Sequence, residues 1–159
     1  MIKVNGYPTK EQVKSKFPNV ETLVKPKAII ECYQEIPCNP CSTSCPVDAI
    51  TIGEDINNIP KIDYDLCIGC GACVYSCPGL CIMLVSVKED LAIFKIPYEL
   101  LPVPVAGEIW QGMDRSGHKI CEAKIEKTLK NKLSDRTVIV TVSVPKAFLY
   151  DFSTVGCKL

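Results

Sequence analysis

Apolar and smaller or polar residues alternate through "TVIVTVSV", placing Val138, Val140, Val142 and Val144 on one face. A period of two over this length predicts a strand. "IMLVSV" and "LAIFKI" predict two further strands around the turn "KED". "EIWQGM" and "HKICEAKI" flank "DRSG", whose Asp, Ser and Gly favour a turn. Between them, Pro97, Pro102 and Pro104 keep "IPYELLPVPVAGE" extended. Pro145 predicts the opening of a short helix, "PKAFLYDF". Earlier in the chain, "AIIE", "AITI" and "IPKIDY" predict short strands, with "GEDINN" as a turn. Thr9 followed by Gln12 forms a capping-box pattern, so a short helix opens there and ends near Pro18. One segment, "KICEAKIEKTLKNKL", fits two periods. As a helix it aligns Cys121, Ile125, Leu129 and Leu133; as a strand it aligns Cys121, Ala123 and Ile125. A strand leading into a helical turn is the favoured reading.

Composition narrows the class. The chain has 159 residues, enough for one domain or two small ones, and 47% are apolar, enough for a packed core. Eighteen basic residues balance eighteen acidic ones, so no overall charge points to nucleic acid or to an acidic membrane surface. The local exception is residues 1–27, where Lys3, Lys10, Lys14, Lys16, Lys25 and Lys27 face only Glu11 and Glu21. This zone reads as a solvated arm with a short helix. No apolar run at the start resembles a signal peptide, and none reaches the ~18 residues of a membrane span.

Cysteine changes the picture most. Of eleven cysteines, nine lie in residues 28–85, at intervals of three and four in two groups. Without a secretory signal, such crowding points to thiolates holding metal in a reducing, cytoplasmic setting. The zone also repeats. A shift of 32 positions lays Cys38 on Cys70, Cys41 on Cys73, Cys45 on Cys77, Pro46 on Pro78 and Ile50 on Ile82. Duplication implies a pseudo-twofold fold. The second unit reads "CIGCGACVYSCP": Cys67, Cys70 and Cys73 two residues apart, then Cys77 after three more and Pro78. Closely spaced thiolates on a tight loop suit the corners of a cubane, and Gly69 and Gly71 let backbone amides approach its sulfides. This spacing holds [4Fe–4S] clusters. A zinc knuckle also uses paired cysteines but needs neither the third nor the Cys-Pro that follows.

Residues 28–85 therefore resemble a bacterial-type two-cluster ferredoxin domain. In that family the first three cysteines of a motif bind one cluster and the fourth reaches across to the other. The resemblance implies that Cys67, Cys70, Cys73 and Cys45 hold one cluster, and that Cys38, Cys41 and Cys77 hold most of the other. Where the family pattern has the missing thiolate, this chain has Glu35. Three outcomes are open: Cys32 reaches in across "YQEIP", Glu35 binds through its carboxylate, or the corner stays empty. Thiolate matches iron better than carboxylate, so Cys32 is the expected fourth ligand, with Glu35 turned outward. The remaining cysteines take plainer roles. Cys81 aligns with Ala49 and reads as a small packing residue, Cys121 as core, and Cys157 as a free thiol. His118 takes no role, and Trp110 and Tyr98 read as core or interface.

The expected fold is α+β, a two-cluster ferredoxin-like domain at 28–85 followed by a small β-barrel or curled β-sheet at 86–159 that serves as a docking module. No nucleotide-binding glycine fingerprint, phosphate-binding loop or acid–base constellation occurs. Catalysis by the chain alone is thus not expected. The whole chain, including "IPCNPC", "CPGL" and "PVPVAGEIWQGMDRSG", resembles ferredoxin-like small subunits of multi-subunit flavin-dependent amine or amino-acid dehydrogenases of the proline or opine type. That resemblance implies an electron-transfer subunit with a flavoprotein dehydrogenase partner. The rival readings are a cluster-bearing binding protein and a free-standing ferredoxin with an accessory domain. Against nucleic acid, the third zone lacks a strand face combining aromatic and basic residues.

Overall fold

The computed structural model describes residues 5–130 and 136–159. Lys3 of the basic arm and Leu133 of the helical alternative lie outside them. Among the described residues nine strands occur: β1 (Lys27–Ile30), β2 (Ile50–Thr51), β3 (Lys61–Ile62), β4 (Ile82–Lys88), β5 (Leu91–Tyr98), β6 (Ile109–Met113), β7 (Lys119–Lys130), β8 (Val138–Pro145) and β9 (Thr154–Lys158). Helix is scarce there, reduced to α1 (Lys10–Lys14), α2 (Pro40–Thr43), α3 (Ala72–Ser76) and two 3-10 turns, Val20–Val24 and Lys146–Phe148. The architecture is thus mostly β, with less helix than an α+β reading implies. Thr9 caps α1 as anticipated: its side chain accepts from the Gln12 amide while the Gln12 side chain accepts from the Thr9 amide. The ambiguous segment is strand throughout its described length, with Ala123 and Ile125 fully buried.

Of the two forms expected for the third zone, a small barrel or a curled sheet, the closed barrel is not found among the described residues. Seven strands form one open antiparallel sheet in the order β1-β4-β5-β8-β7-β6-β9, while β2 and β3 pair separately. The sheet curls without closing. Residues from all seven strands, from Ile29 and Val85 through Phe94, Val140 and Ile125 to Trp110 and Val155, meet in one core. Register shifts in β6 and β7 supply local bends. Pro97 sits inside β5 without breaking a ladder. β4 pairs only as far as Lys95, so the position that lacks an amide proton lies where β5 has β8 as its single neighbour.

β1 and β4 form a wall with two working faces. Successive side chains point to opposite sides of a strand. Ile29, Met83 and Val85 therefore enter the main core, while Ala28, Ile30, Ile82 and Leu84 face the cysteine zone. The sequence boundary between residues 85 and 86 falls within β4, and the sheet runs across it unbroken.

Candidate iron-sulfur centres

Two cavities lie on the cysteine side of the wall. The first is lined by Cys45, Cys67, Cys70 and Cys73, with Ala28, Ile50 and Leu84 as its apolar floor. The second is lined by Cys32, Cys38, Cys41 and Cys77, and also by Cys81. They hold about 300 and 460 Å³ of atom-free space, part of it open to solvent. Cys45 and Cys77 each end their own motif and line the cavity of the other one. Both belong to the single apolar cluster that α2, α3 and the wall share.

The first cavity is shaped by backbone. Gly69 and Gly71 adopt left-handed φ angles of +68° and +85°, and Gly71 is the N-cap of α3. A Cβ on Gly69 would lie 2.3 Å from the Pro26 carbonyl oxygen, so no other residue fits. Lys27 anchors the loop entry, its Nζ donating to the carbonyls of Tyr64 (2.6 Å) and Cys67 (2.7 Å). Cys73 is buried and Cys70 exposed.

The second cavity is shaped more by side chains. Cys32 lines it, while Glu35, exposed, is absent from its wall. Immediately before Cys32, Glu31 receives two bonds from the Arg115 guanidinium, at Oε2 from Nε (2.6 Å) and at Oε1 from Nη2. Both side chains are only 9% exposed. Arg115 also donates to the carbonyls of Tyr150 and Asp151, so the "DRSG" turn braces the root of the first cysteine loop. Burial, then the Glu31 carboxylate, push the Tyr33 phenol well above its ordinary range.

The electrostatics follow the same division. Burial first, then Cys67, Cys70 and Cys45, push the Cys73 thiol up to about 12. Burial first, then Cys77 and, more weakly, Cys38, raise Cys41. Neighbouring thiols thus oppose the ionisation of Cys73 in one cavity and of Cys41 in the other, and among the described residues neither wall carries a lysine or arginine. Positive charge beside these two buried thiols, such as iron supplies, would offset that opposition. Among the described residues no three Cys, His, Asp or Glu side chains close on the space of a single metal ion. Ligands of a cubane stand further apart, each on its own iron. The donor set, the glycine backbone and the apolar floor fit a [4Fe–4S] group.

Cys81, read from the sequence as a packing residue, packs partly buried against the shared apolar cluster and also faces a motif cysteine. Its sulfur lies 3.5 Å from that of Cys77. Its counterpart under the repeat, Ala49, donates its amide to Cys45 Sγ at 3.3 Å, so this position touches sulfur in both halves. The other residues given plain roles are accounted for. Trp110 and Tyr98 are buried, and their rings meet edge to face at 6.4 Å. Cys121 packs partly buried against the main core, Cys157 is exposed on β9, and His118 is exposed at the turn.

Comparison with known proteins agrees with this zone. Residues 36–88 match the model of the 4Fe-4S dicluster domain. A sulfite dehydrogenase subunit of Allochromatium vinosum is 44% identical over 62 residues, 39% of this chain and 24% of that protein. A selenate reductase subunit of Mesobacillus selenatarsenatis is 41% identical over 71 residues, 45% of this chain and 22% of that one. The ferredoxin-type protein NapF of Haemophilus influenzae is 35% identical over 57 residues, 35% of this chain and 32% of that one. The chain thus spans less than a third of the length of these relatives. No solved structure matches it. The chain carries a 4Fe-4S dicluster ferredoxin domain, and among the described residues no helix is long and apolar enough to cross a membrane.

Proposed function

We propose that this chain is an iron-sulfur electron-transfer subunit with two [4Fe–4S] clusters. Cys45, Cys67, Cys70 and Cys73 hold one, and Cys32, Cys38, Cys41 and Cys77 hold the other. The observation that carries this reading is the sorting of nine thiols into two cavities against one wall, with Cys45 and Cys77 crossing between motifs. A cubane supplies one-electron chemistry at a potential set by hydrogen bonds, charge and exposure. The chain's own part is to bind and shield. Ile30, Ile82 and Leu84 exclude water from the wall side, and exposed Cys70 leaves the first centre an edge at the surface.

Oxidation of the substrate belongs in this reading to a partner, a flavoprotein dehydrogenase in the same cytoplasmic complex, with no role for nucleic acid. The sulfite dehydrogenase and selenate reductase relatives, each a subunit, support membership of an oxidoreductase complex. The flavin partner, of amine or amino-acid type, rests on the resemblance along the whole chain. Residues 86–159 are the part available to dock it.

Anaerobic purification from the native host tests both levels. The expected result is a brown complex with about eight iron and eight sulfide per chain, co-eluting with a flavoprotein. Zinc without sulfide overturns the cluster reading. Clusters on a solitary monomer, or on a chain retained by nucleic acid in a salt-sensitive way, overturn the partner.

A further inference from the structure

The two halves of the repeat place nearly identical backbones beside their crossing cysteines. Asp48 and Leu80 correspond under the 32-residue shift, and both adopt left-handed conformations, φ +51° and +52°. Their amides donate to the carbonyls of Cys45 (3.4 Å) and Cys77 (3.2 Å). Aspartate visits this conformation readily, whereas leucine adopts it only where its surroundings impose it. The residue after Asp48, Ala49, donates its amide to the Cys45 sulfur at 3.3 Å. At that position the halves differ in one group: Ala49 presents a methyl, and Cys81 a thiol whose sulfur stands 3.5 Å from Cys77 Sγ. The Glu31 amide fixes Cys81 from behind by donating to its carbonyl at 2.8 Å. Cys81 also lines the same cavity as Cys32, Cys38 and Cys41.

We infer that Cys81 is a positioning residue of the second centre: its S–H donates to the Cys77 sulfur and raises that centre's reduction potential, without ligating iron. The inference rests on the two-cluster reading above. A hydrogen bond to a ligand sulfur withdraws electron density, so the reduced state is stabilised and the potential rises. Four thiols other than Cys81 already line the cavity, one for each corner of a cubane. The first centre is a built-in control, because Ala49 has no thiol to offer Cys45.

The test is a redox titration followed by EPR on the anaerobically purified full chain, as wild type and as Cys81→Ala, Cys81→Ser and Ala49→Cys. Alanine already occupies the equivalent site of the first half, so Cys81→Ala keeps the local backbone. The expected result is two four-iron signals in every variant. In Cys81→Ala one potential falls and the other stays. Cys81→Ser, with a hydroxyl donor, recovers part of the fall. Ala49→Cys raises the potential of the other centre. Conversion of one signal to a three-iron form in Cys81→Ala overturns the inference by making Cys81 a ligand. Two unmoved potentials in Cys81→Ala overturn it while leaving the two-cluster reading intact. A wild-type chain without two four-iron signals overturns that reading and the inference together.

Discussion

Between Cys67 and Cys73 the chain turns on Gly69 and Gly71, both left-handed, and presses its backbone against Pro26. Between Cys32 and Cys41 there is no glycine, two prolines occur, and the loop root hangs on a buried ion pair with Arg115. One duplicated unit has therefore been fixed in two ways. The second half is held by local backbone geometry, within reach of its own neighbours. The first is held by a side chain from 84 positions away, on a turn of the curled sheet. A loop that departs from the short spacing loses the self-contained fit of a glycine turn, and here a distant contact takes its place. Breaking each device should damage a different half.

The largest effect is expected from Gly69→Ala. The new methyl would meet a backbone carbonyl at 2.3 Å, and the φ of +68° disfavours any Cβ. Neither can relax without moving the Cys67–Cys73 loop. Iron should fall from about eight to about four per chain, with one EPR signal gone and the other kept. Equal loss of both signals would mean that the halves are not held separately.

Next comes the brace of the first half. Arg115→Ala leaves the Glu31 carboxylate without its guanidinium, in a site where both side chains are 9% exposed. Removing one partner of a buried pair costs about 3–5 kcal/mol, to be read from denaturant unfolding of the apo and loaded chains. The double variant Glu31→Leu, Arg115→Met should recover most of that loss, because apolar replacement of a whole buried pair is often neutral. A loss below about 1 kcal/mol in the single variant, the range of surface pairs, would remove the brace from the comparison.

How far the sequence could be read follows the same division. The second cysteine motif was legible because its geometry is local: spacing, glycines and the Cys-Pro all fall within "CIGCGACVYSCP". The strands of the third zone were legible from alternation, as in Val138, Val140, Val142 and Val144, all buried. Their arrangement was not. β8 lies between β5 and β7, and alternation says which face is buried but not which strand is its neighbour. A barrel and an open curled sheet share one pattern. β9 escaped notice because "TVGCK" is short and pairs at the sheet edge. The Glu31–Arg115 pair had no sequence signal; Cys81 packs as its alignment with Ala49 indicated, but its closeness to Cys77 depends on a left-handed leucine that propensity does not indicate.

Smaller is the effect expected of Cys32→Ala. Cys32 lines the second cavity at half-burial, its thiol directed to the Gln34 carbonyl at 3.7 Å. In the proposed ligand set it is the fourth ligand of that centre and holds one iron corner. Its loss should convert one four-iron signal to a three-iron signal, about one iron in eight, and leave the signal of the Gly69 loop untouched. Two unchanged four-iron signals would show that the first half completes its centre without Cys32.

Glu35→Gln should do least. Glu35 occupies the place where the short spacing of the second half has Cys67, and equivalence under the repeat favours it as a ligand. Three observations oppose that. Glu35 is exposed, whereas Gln34, Ile36 and Cys38 on either side line the cavity and it does not. A carboxylate is the harder donor and the poorer match for iron in these clusters. The "YQEIP" spacer lets Cys32 reach the same cavity from the end of β1, where Glu31 is pinned to Arg115. Substitution by glutamine keeps the size and removes the charge, so iron content, both EPR signals and unfolding stability should all match the wild type. Stability within about 0.5 kcal/mol is the range for an exposed side chain away from structural devices. A three-iron signal in Glu35→Gln, beside an unchanged Cys32→Ala, would exchange the roles of the two residues. The first loop would then be a short-spaced motif with one carboxylate ligand, and its difference from the second would come down to a single side chain.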